Sequence, residues 1–490
     1  MSDTGVFATA PEDRIPILQR VIYGAGAFVN NLLAGSIGAM MIVLNLGLGM
    51  NPALVGLLGM LPRLFDAITD PLMGYISDNT KSRWGRRRPY IFVGAIGVGL
   101  AYMFLWQLPR GESESYLFWY FLVGSLIFFL AYTIFATPWV ALGYEMTPDY
   151  NERTRLMGTQ FFIGQFAYFV YPWLLLIMQD ETMFDDMVDG AANVGFVIGA
   201  FAIVFGLLPA LFLKERIAVS PDTSEATPIP IDQTKWQTMR ANVSGFVTGF
   251  ATTLRFMPFL KLCLATFLIF NGFQLVAAIQ TYVIIYYIFA GDTALGAEYF
   301  GYVGTAMTAS TFAIIVFVTW LGTKIGKRRA FAISTIISMV GFGLKWFCYT
   351  PDNPWMVLIP APLIAFGYGG LFTLMPSMMA DVVDADELNT GERREGMYGS
   401  IYWWVVKLGQ AAALAGGGIL LNVSGFDVAL GGAQSEETLT LLRLFDAFIP
   451  LAASGLAIWC VVSFGITQEK AREVREKLEA IRGKLNPAAA

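Results

Sequence analysis

Two aspartates and one arginine lie close together in the middle of an otherwise apolar stretch. Asp70 follows Asp66 by four residues and Arg63 precedes Asp66 by three, so all three side chains share one face of a helix. Charges inside an apolar segment are costly and face the protein interior or a wet cavity. Two carboxylates about 6 Å apart on a helix can replace part of the hydration shell of Na⁺ or share a proton. We predict a cation site at Asp66 and Asp70, with Thr69 as a further oxygen ligand; the alternative is a structural ion pair with Arg63.

Lys407 is a second charge in the middle of an apolar stretch. A lone ammonium there needs a carboxylate partner, and the predicted cation site supplies one. Lys407 would occupy the cation position when the site is empty and leave it when the cation binds. The alternative is that its long side chain extends to the membrane surface. Lys345 lies near the end of another apolar stretch, where we expect that extended arrangement.

The composition indicates that these charges belong to a membrane protein. Of 490 residues, 56% are hydrophobic and 14% are charged, whereas a soluble domain carries about 25% charged residues. A helix crosses a bilayer with about 20 apolar residues, and the chain has six such stretches, a polar interval, and six more. We predict twelve transmembrane helices in two six-helix bundles, with spans near 21–46, 53–77, 89–108, 116–144, 158–178, 193–213, 258–289, 297–321, 330–349, 355–381, 397–422 and 444–466.

The distribution of basic residues predicts the orientation. Lys and Arg collect in alternate connections such as 81–88, whereas the connection 179–192 has five acidic residues and no basic ones. By the positive-inside rule, both termini are cytoplasmic and the protein is a multi-pass protein of the cell (inner) membrane. The predicted organisation is an N-terminal bundle (1–214), a central cytoplasmic linker (215–257, partly helical near 233–250), a C-terminal bundle (258–466) and a cytoplasmic tail (467–490).

The tail has charged residues at helical spacing with an apolar stripe, which predicts an amphipathic helix at the inner membrane surface or, alternatively, a solvated helix.

The two halves also repeat a motif, because the basic run 85–88 after the second span recurs as 326–329 after the eighth. A repeated six-span unit favours alternating access over a permanent pore.

The absence of histidine excludes His-based catalysis and His-ligated metals. A net charge of −5 disfavours nucleic-acid binding, and we expect no enzyme activity and no cofactor.

The basic connection 81–88 predicts a cytoplasmic gate. Its arginines can bond carbonyl groups at helix C-termini and nearby carboxylates, and binding of anionic lipids is the alternative. In the second half, we expect an acidic loop around 381–392 to form the matching part. The predicted gate residues are Asp78, Arg86, Arg87, Glu145, Arg153, Asp381, Asp384 and Arg393.

The stretch 66–78, with its Asp-x-x-x-Asp-Pro pattern, and the following Trp-Gly-Arg-Arg-Arg-Pro of 84–89 resemble the second helix and loop of the glycoside–pentoside–hexuronide:cation symporters. This family is a branch of the major facilitator superfamily. The stretches 23–28, 380–384 and 405–407 resemble its first, tenth and eleventh helices. The resemblance implies the major facilitator fold, a central substrate cavity and a cation site at Asp66 and Asp70, to which Thr133 of the fourth helix adds a ligand.

The chain departs from the family where the sugar is held. Asn31 and Ala136 occupy positions where an aspartate is expected from the resemblance, and Gln160 and Val140 replace an arginine and a tryptophan. Amide groups still bind sugar hydroxyls, and an aromatic ring packs against the apolar face of a pyranose. The predicted substrate residues are Asn30, Asn31, Gln160, Gln274, Tyr132, Trp139, Trp403 and Trp404.

The sequence therefore predicts a Na⁺- or H⁺-coupled symporter of a glycoside or related sugar derivative. Lys407 and Arg63 are the predicted coupling residues beside the cation site. The alternative within transport is an amphipathic substrate such as a lysolipid or a bile-acid-like solute. We expect a monomer whose partners are the small-molecule substrate, the coupling cation and membrane lipids.

Overall fold

Twelve helices of the protein, in a computed structural model, are long and apolar enough to cross a membrane. They confirm the predicted all-α fold with twelve spans. The structure describes residues 14–78, 80, 82–147, 150–215, 253, 255–391 and 395–482. The predicted linker helix near 233–250 lies outside the described residues.

The first six spans are built from nine helices because two of the spans are interrupted. In the fifth span, Pro172 is the second residue of the 3₁₀ turn Tyr171–Trp173, near a helix start, where a missing N–H is tolerated. Ser113 caps the helix of the fourth span, Glu114–Glu145, by accepting a hydrogen bond from the backbone N–H of Tyr116. The helices are α1 (Ile17–Met40), α2 (Ile42–Leu46), α3 (Pro52–Asp78), α4 (Arg88–Leu105), α5 (Glu114–Glu145), α6 (Tyr150–Gln165), α7 (Ala167–Val170), α8 (Leu174–Met178) and α9 (Met187–Phe212).

The last six spans continue the chain with longer, less interrupted helices. The seventh span passes from an α-helix into the π-helical segment Val283–Ile288. Short 3₁₀ turns at Pro354–Leu358 and Val428–Leu430 lie in connections. The helices are α10 (Met257–Tyr282), α11 (Thr293–Ile325), α12 (Lys327–Cys348), α13 (Pro360–Thr390), α14 (Glu395–Val423), α15 (Glu436–Val462) and α16 (Gln468–Arg482).

The chain divides into two compact units that do not follow the six-plus-six boundary at every helix. Unit 1 comprises Met1–Val219, Ile284–Thr305 and Leu414–Ser435; unit 2 comprises the rest. Unit 1 therefore includes parts of the seventh, eighth and eleventh spans.

Small residues allow the helices of unit 1 to pack closely. A Cβ atom on Gly94 of α4 would lie 2.5 Å from the backbone nitrogen of Phe135 in α5. A Cβ on Gly99 would lie 2.5 Å from the carbonyl oxygen of Gly199 in α9. Because glycine has no side chain, the backbones of α4, α5 and α9 approach to distances that other residues prevent. This packing fixes α5, which carries part of the functional site.

Polar contacts attach the segments 284–305 and 414–435 to the first six spans within unit 1. Asn422 donates its side-chain amide to Asn51 Oδ1 at 2.8 Å, just before α3 begins. Gln179 donates to the carbonyl of Thr293 at 2.8 Å, and the Trp173 indole donates to Thr305 Oγ1 at 3.0 Å. Since α3 runs from Asn51 toward the basic connection 81–88, its contact with Asn422 lies at the opposite end of the helix from that connection.

The predicted extension of Lys345 to the membrane surface is wrong. Its side chain is 1% exposed and its ammonium lies 2.6 Å from Asp446 Oδ1. It also donates to Gln280 Oε1 at 3.1 Å and lies 4.9 Å from the centre of the Tyr349 ring. Lys345 therefore links α12, α15 and α10 inside unit 2, because a carboxylate on a neighbouring helix holds the charge in the interior.

The C-terminal helix α16 packs on the protein, which differs from both predictions made for the tail. Val474 and Leu478 are 6% and 5% exposed and belong to the apolar core of unit 2. Val474 and Leu478 therefore lie on an apolar stripe of the helix, as predicted, but other residues of unit 2 cover this stripe. The opposite face carries charged residues, of which Glu473 and Lys477 form an ion pair one helical turn apart at 2.5 Å.

Candidate functional site

Two neighbouring helices of unit 1, α3 and α5, supply the candidate cation site. Asp66 and Asp70 lie one turn apart on α3, and Asp70 is followed by Pro71. Thr133 lies on α5, five residues before Pro138. Each proline removes one backbone hydrogen bond from its helix. Both helices nevertheless continue as α-helices past these prolines.

Thr133 brings the two carboxylates together. Its Oγ1 lies 2.8 Å from Asp66 Oδ1 and 3.0 Å from Asp70 Oδ1. The Thr69 hydroxyl lies 3.2 Å from Thr133 Oγ1 and also donates to the carbonyl of Asp66 at 3.2 Å. Asp66 and Thr133 are each 1% exposed. The structure thus places the predicted residues Asp66, Thr69, Asp70 and Thr133 in one group, of which Asp70 is half-buried and the others are buried.

The contacts of Thr133 limit what the group can hold. A hydroxyl has one hydrogen, so only one of its two carboxylate contacts is a hydrogen bond that it donates. The other brings a hydroxyl lone pair and a carboxylate oxygen together, which is favourable when a proton or a cation lies between the oxygens. Among the described residues no group of three or more His, Cys, Asp or Glu side chains is placed to hold a metal ion.

Thr137 joins this group, although the sequence analysis did not single it out. Its hydroxyl donates to Asp70 Oδ1 at 3.2 Å. Thr137 lies one helical turn after Thr133, and this i,i+4 spacing is the sequence signal from which it could have been found. We call Asp66, Thr69, Asp70, Thr133 and Thr137 the carboxylate–threonine cluster.

Arg63, predicted as a coupling residue, contacts a backbone carbonyl and an aromatic ring instead of the two aspartates. It donates to the carbonyl of Ala34 at 3.3 Å, and its guanidinium lies 4.8 Å from the centre of the Phe129 ring. A cation over an aromatic face is stabilised by the ring's electrons. Of the described carboxylates, neither Asp66 nor Asp70 lies within ion-pair distance of Arg63. The alternative of a structural Arg63–Asp ion pair is therefore not what the structure contains.

A chain of hydrogen bonds between uncharged side chains begins at Tyr132, the residue before Thr133. Tyr132 donates its hydroxyl to Asn30 Oδ1 at 2.8 Å, and Asn30 donates to Asn31 Oδ1 at 3.3 Å. Asn31 donates to the carbonyl of Gly164 at 3.0 Å. These bonds connect α5, α1 and α6, and we call Tyr132, Asn30 and Asn31 the amide network. Predicted residue Gln160 is half-buried one turn before Gly164.

Trp139, predicted as an aromatic platform for substrate, is buried. It is 1% exposed, and its ring stacks on Tyr23 with centroids 5.0 Å apart and near-parallel to Phe135 at 6.5 Å. A Cβ on Gly26 would lie 2.3 Å from its indole nitrogen. Both faces are covered by protein, so this structure offers no Trp139 ring face to a substrate, which corrects the predicted role.

The remaining predicted binding and coupling residues belong to unit 2. Gln274 and Lys407 are half-buried, on α10 and α14 respectively. Trp403 and Trp404 of α14 are 57% and 38% exposed. The two tryptophans thus retain the open ring surface that Trp139 lacks.

The basic connection before α4 forms a charged network with the ends of α5 and α9. Arg86 and Arg87 both pair with Glu145, the last residue of α5. Arg88 donates to the carbonyls of Ala210 and Leu211 at 2.7 and 2.9 Å. These carbonyls end a helix and carry its partial negative charge. The arginines of the predicted gate therefore contact the C-terminal ends of two helices, α5 and α9.

Unit 2 contains a similar, simpler contact. Lys327 at the start of α12 lies 2.7 Å from Asp381 Oδ1 and donates to the carbonyl of Ser377 at 3.0 Å. Asp381 and Asp384 lie within the last turns of α13, which corrects the predicted acidic loop because the helix continues beyond its apolar part. Arg393 and the side chains of Asp78 and Arg153 lie outside the described part of the chain.

Twelve apolar helices, charged contacts repeated after the second and eighth spans, and a buried carboxylate–threonine cluster define a membrane transporter. The chain belongs to the MFS/sugar transport protein family, which matches residues 22–468. This confirms the resemblance to the glycoside–pentoside–hexuronide:cation symporters of the major facilitator superfamily.

Two relatives and one solved structure show how far the similarity extends. An isoprimeverose transporter of Lactiplantibacillus pentosus is 22% identical over 91% of this chain and 88% of its own. A sodium-dependent lysophosphatidylcholine symporter of Gallus gallus is 22% identical over 97% of this chain and 91% of its own. A bacterial homologue of the human lysosomal transporter Spinster matches with a TM-score of 0.65 and 12% identity, over 95% of this chain and 99% of that chain. The last match shows the fold alone.

Proposed function

We propose that the protein is a Na⁺-coupled symporter of a glycoside or related sugar derivative, working by alternating access. The observation that carries the proposal is the contact of one Thr133 hydroxyl with both Asp66 and Asp70, at 2.8 and 3.0 Å. Several hydroxyl and carboxylate oxygens that converge in a buried site suit a hard cation. The relative named as sodium-dependent supports Na⁺ as the ion, and H⁺ is the competing choice.

The amide network is the proposed attachment point for substrate. Its members carry donors and acceptors but no charge, which suits the hydroxyl groups of a neutral sugar. Tyr132 of the network and Thr133 of the cluster are consecutive residues of α5. A cation that changes the distance between Thr133 and the carboxylates therefore also changes the position of Tyr132. This adjacency is the proposed basis of coupling, and the relative named as an isoprimeverose transporter supports a sugar-like substrate.

An amphipathic substrate is the second candidate. One observation favours it, namely the similarity over 97% of the chain to a lysophosphatidylcholine symporter. Asn31 and Ala136, which replace aspartates expected from the family resemblance, leave a less charged binding surface. A lysolipid would place its chain on such a surface and its polar end on the amide network.

The two charged networks are proposed to form a cytoplasmic gate, with both termini on the cytoplasmic side. Glu145 with its arginines and Asp381 with Lys327 occur at equivalent positions of the two halves. Ion pairs at helix ends form and break at low cost in water, which suits contacts that alternate during transport. The positive-inside distribution supports the orientation.

Uptake into proteoliposomes tests the coupling proposal. Asp66→Asn and Asp70→Asn should abolish substrate accumulation driven by a Na⁺ gradient, because the amide removes the charge that holds the cation. Substrate exchange without a gradient should be partly retained. Glu298→Gln is a matched control, since this carboxylate of unit 1 bonds only locally, to Tyr302 one turn away. Accumulation by both aspartate variants at the wild-type level would show that the cation site is elsewhere.

A thermal-shift screen of the purified protein identifies the substrate class. Sugars, uronates, sulfonates and lysolipids are tested with NaCl and with choline chloride. We expect Na⁺-dependent stabilisation by a sugar derivative. Stabilisation by lysolipids alone favours the second candidate, and stabilisation that depends on pH rather than Na⁺ favours H⁺ coupling.

A further inference from the structure

Thr137 uses its hydroxyl differently from several other helical threonines of this protein. Thr159, Thr266 and Thr335 each donate to the carbonyl four residues earlier in their own helix, at 2.8–2.9 Å. This local bond is the usual arrangement for a threonine inside a helix. Thr137 donates instead across to Asp70 of α3. Its hydroxyl is therefore directed at the carboxylate–threonine cluster rather than at its own backbone.

The position of Thr137 completes one side of the cluster. Asp70 Oδ1 lies between two hydroxyls of α5, at 3.0 Å from Thr133 Oγ1 and 3.2 Å from Thr137 Oγ1. Thr133 and Thr137 are one helical turn apart, as Asp66 and Asp70 are on α3. About one turn of each helix thus faces the other, with three oxygen-bearing side chains of the cluster on α3 and two on α5.

The oxygens of the cluster are slightly closer together than the ligands of a small cation. A cation the size of Ca²⁺ or Na⁺ binds oxygens at about 2.3–2.6 Å, so neighbouring ligands of an octahedral site are about 3.3–3.7 Å apart. The oxygens of the cluster are 2.8–3.2 Å apart. A displacement of less than about 1 Å between α3 and α5 would therefore give the spacing of a loaded site.

We propose that Thr137 is a further oxygen ligand of the cation site and that it sets the affinity of the site for Na⁺. The proposal rests on the proposed function, in which Asp66 and Asp70 hold the coupling cation. It extends that function because neither the Asp-x-x-x-Asp pattern nor the family resemblance assigns this position.

Na⁺ titration of the unfolding temperature tests the proposal on the purified full-length protein. A ligand that binds only the folded state stabilises it by RT ln(1 + [L]/Kd), so the dependence of this temperature on the Na⁺ concentration gives the half-saturating concentration. Choline chloride keeps the ionic strength constant. Thr137→Val removes the hydroxyl at nearly constant volume and should raise the half-saturating Na⁺ concentration on the order of tenfold. Thr137→Ser retains the hydroxyl and should remain within about twofold of wild type.

Two further variants separate this proposal from the proposed function. Thr335→Val is the matched control, because Thr335 is equally helical, 1% exposed and bonded to its own backbone; its Na⁺ response should equal that of wild type. Asp70→Asn should abolish the response. If Asp70→Asn abolishes it while Thr137→Val titrates like wild type, Thr137 is no ligand and the cation site stands. If the wild type shows no Na⁺ response, or Asp70→Asn retains it, sodium coupling at this site and the role of Thr137 are both wrong.

Discussion

Two carboxylate sites in the described membrane helices make different kinds of contact. In unit 2, Asp446 pairs with the ammonium of Lys345 at 2.6 Å, and both side chains are at most 2% exposed. In unit 1, Asp66 and Asp70 share the hydroxyl of Thr133. The first carboxylate is neutralised by a cation that belongs to the chain. In the second site, the hydroxyls of Thr133 and Thr137 contact the carboxylates, and we propose that this site takes up a cation from solution.

This difference separates a structural role from a transport role. A buried ion pair whose partners lie on packed helices gains nothing from a mobile ion, and its loss affects folding. A carboxylate group built to exchange a cation must tolerate the absence of that cation without unfolding. The same residue type inside the membrane is therefore expected to give opposite mutational results in the two units.

Breaking the Lys345–Asp446 pair should have the largest effect on stability. Lys345→Met or Asp446→Asn leaves one buried charge without its partner, which costs about 3–5 kcal/mol. The expected results are a strongly lowered unfolding temperature and a poor yield of purified protein. The double variant Lys345→Met/Asp446→Leu removes both charges and should recover most of the loss, since an apolar pair of similar volume is often as stable. Single variants that unfold at the wild-type temperature would contradict a structural role.

Neutralising the cation site should change stability much less. Asp66→Asn and Asp70→Asn keep an oxygen acceptor for Thr133 and lose only the charge, so the free energy of unfolding in choline chloride should change by about 1 kcal/mol or less. The measurement is the unfolding temperature of each variant without Na⁺, compared with that of Asp446→Asn. A loss as large as that of Asp446→Asn would mean that the two sites are equally structural and would remove the distinction drawn above.

The sequence predicted those parts of the site that depend on local geometry. Asp66 and Asp70 share a helix face because of the helical period, and the surrounding apolar residues require a helix. The twelve spans follow from the same length and composition rule. The helix ends were harder to predict from the sequence. For example, α13 continues past its apolar part, so that Asp381 and Asp384 lie on helical turns.

Features that depend on a distant helix could not be predicted from one sequence. Lys345 looked like a side chain that extends to the surface because it lies near a helix end, and its partner Asp446 is 101 residues away. Thr137 meets Asp70 across 67 residues. Trp139 resembled a sugar platform by residue type alone, whereas its burial follows from packing against Tyr23 and Phe135.

The smallest effect is expected at a second Lys–Asp pair that differs from Lys345–Asp446 chiefly in exposure. Lys327 and Asp381 lie 2.7 Å apart, also in unit 2, and Lys327 is on the same helix as Lys345, but their side chains are 36% and 21% exposed. Water competes for these charges, so Lys327→Met should lower the free energy of unfolding by less than about 1 kcal/mol. The measurement is the unfolding temperature of Lys327→Met beside that of Lys345→Met in the same buffer, with the rate of uptake recorded for both. The proposed gate role predicts that Lys327→Met changes the uptake rate while the protein remains folded. Equal destabilisation by the two lysine variants would show that position in the fold, rather than burial of the pair, determines its contribution.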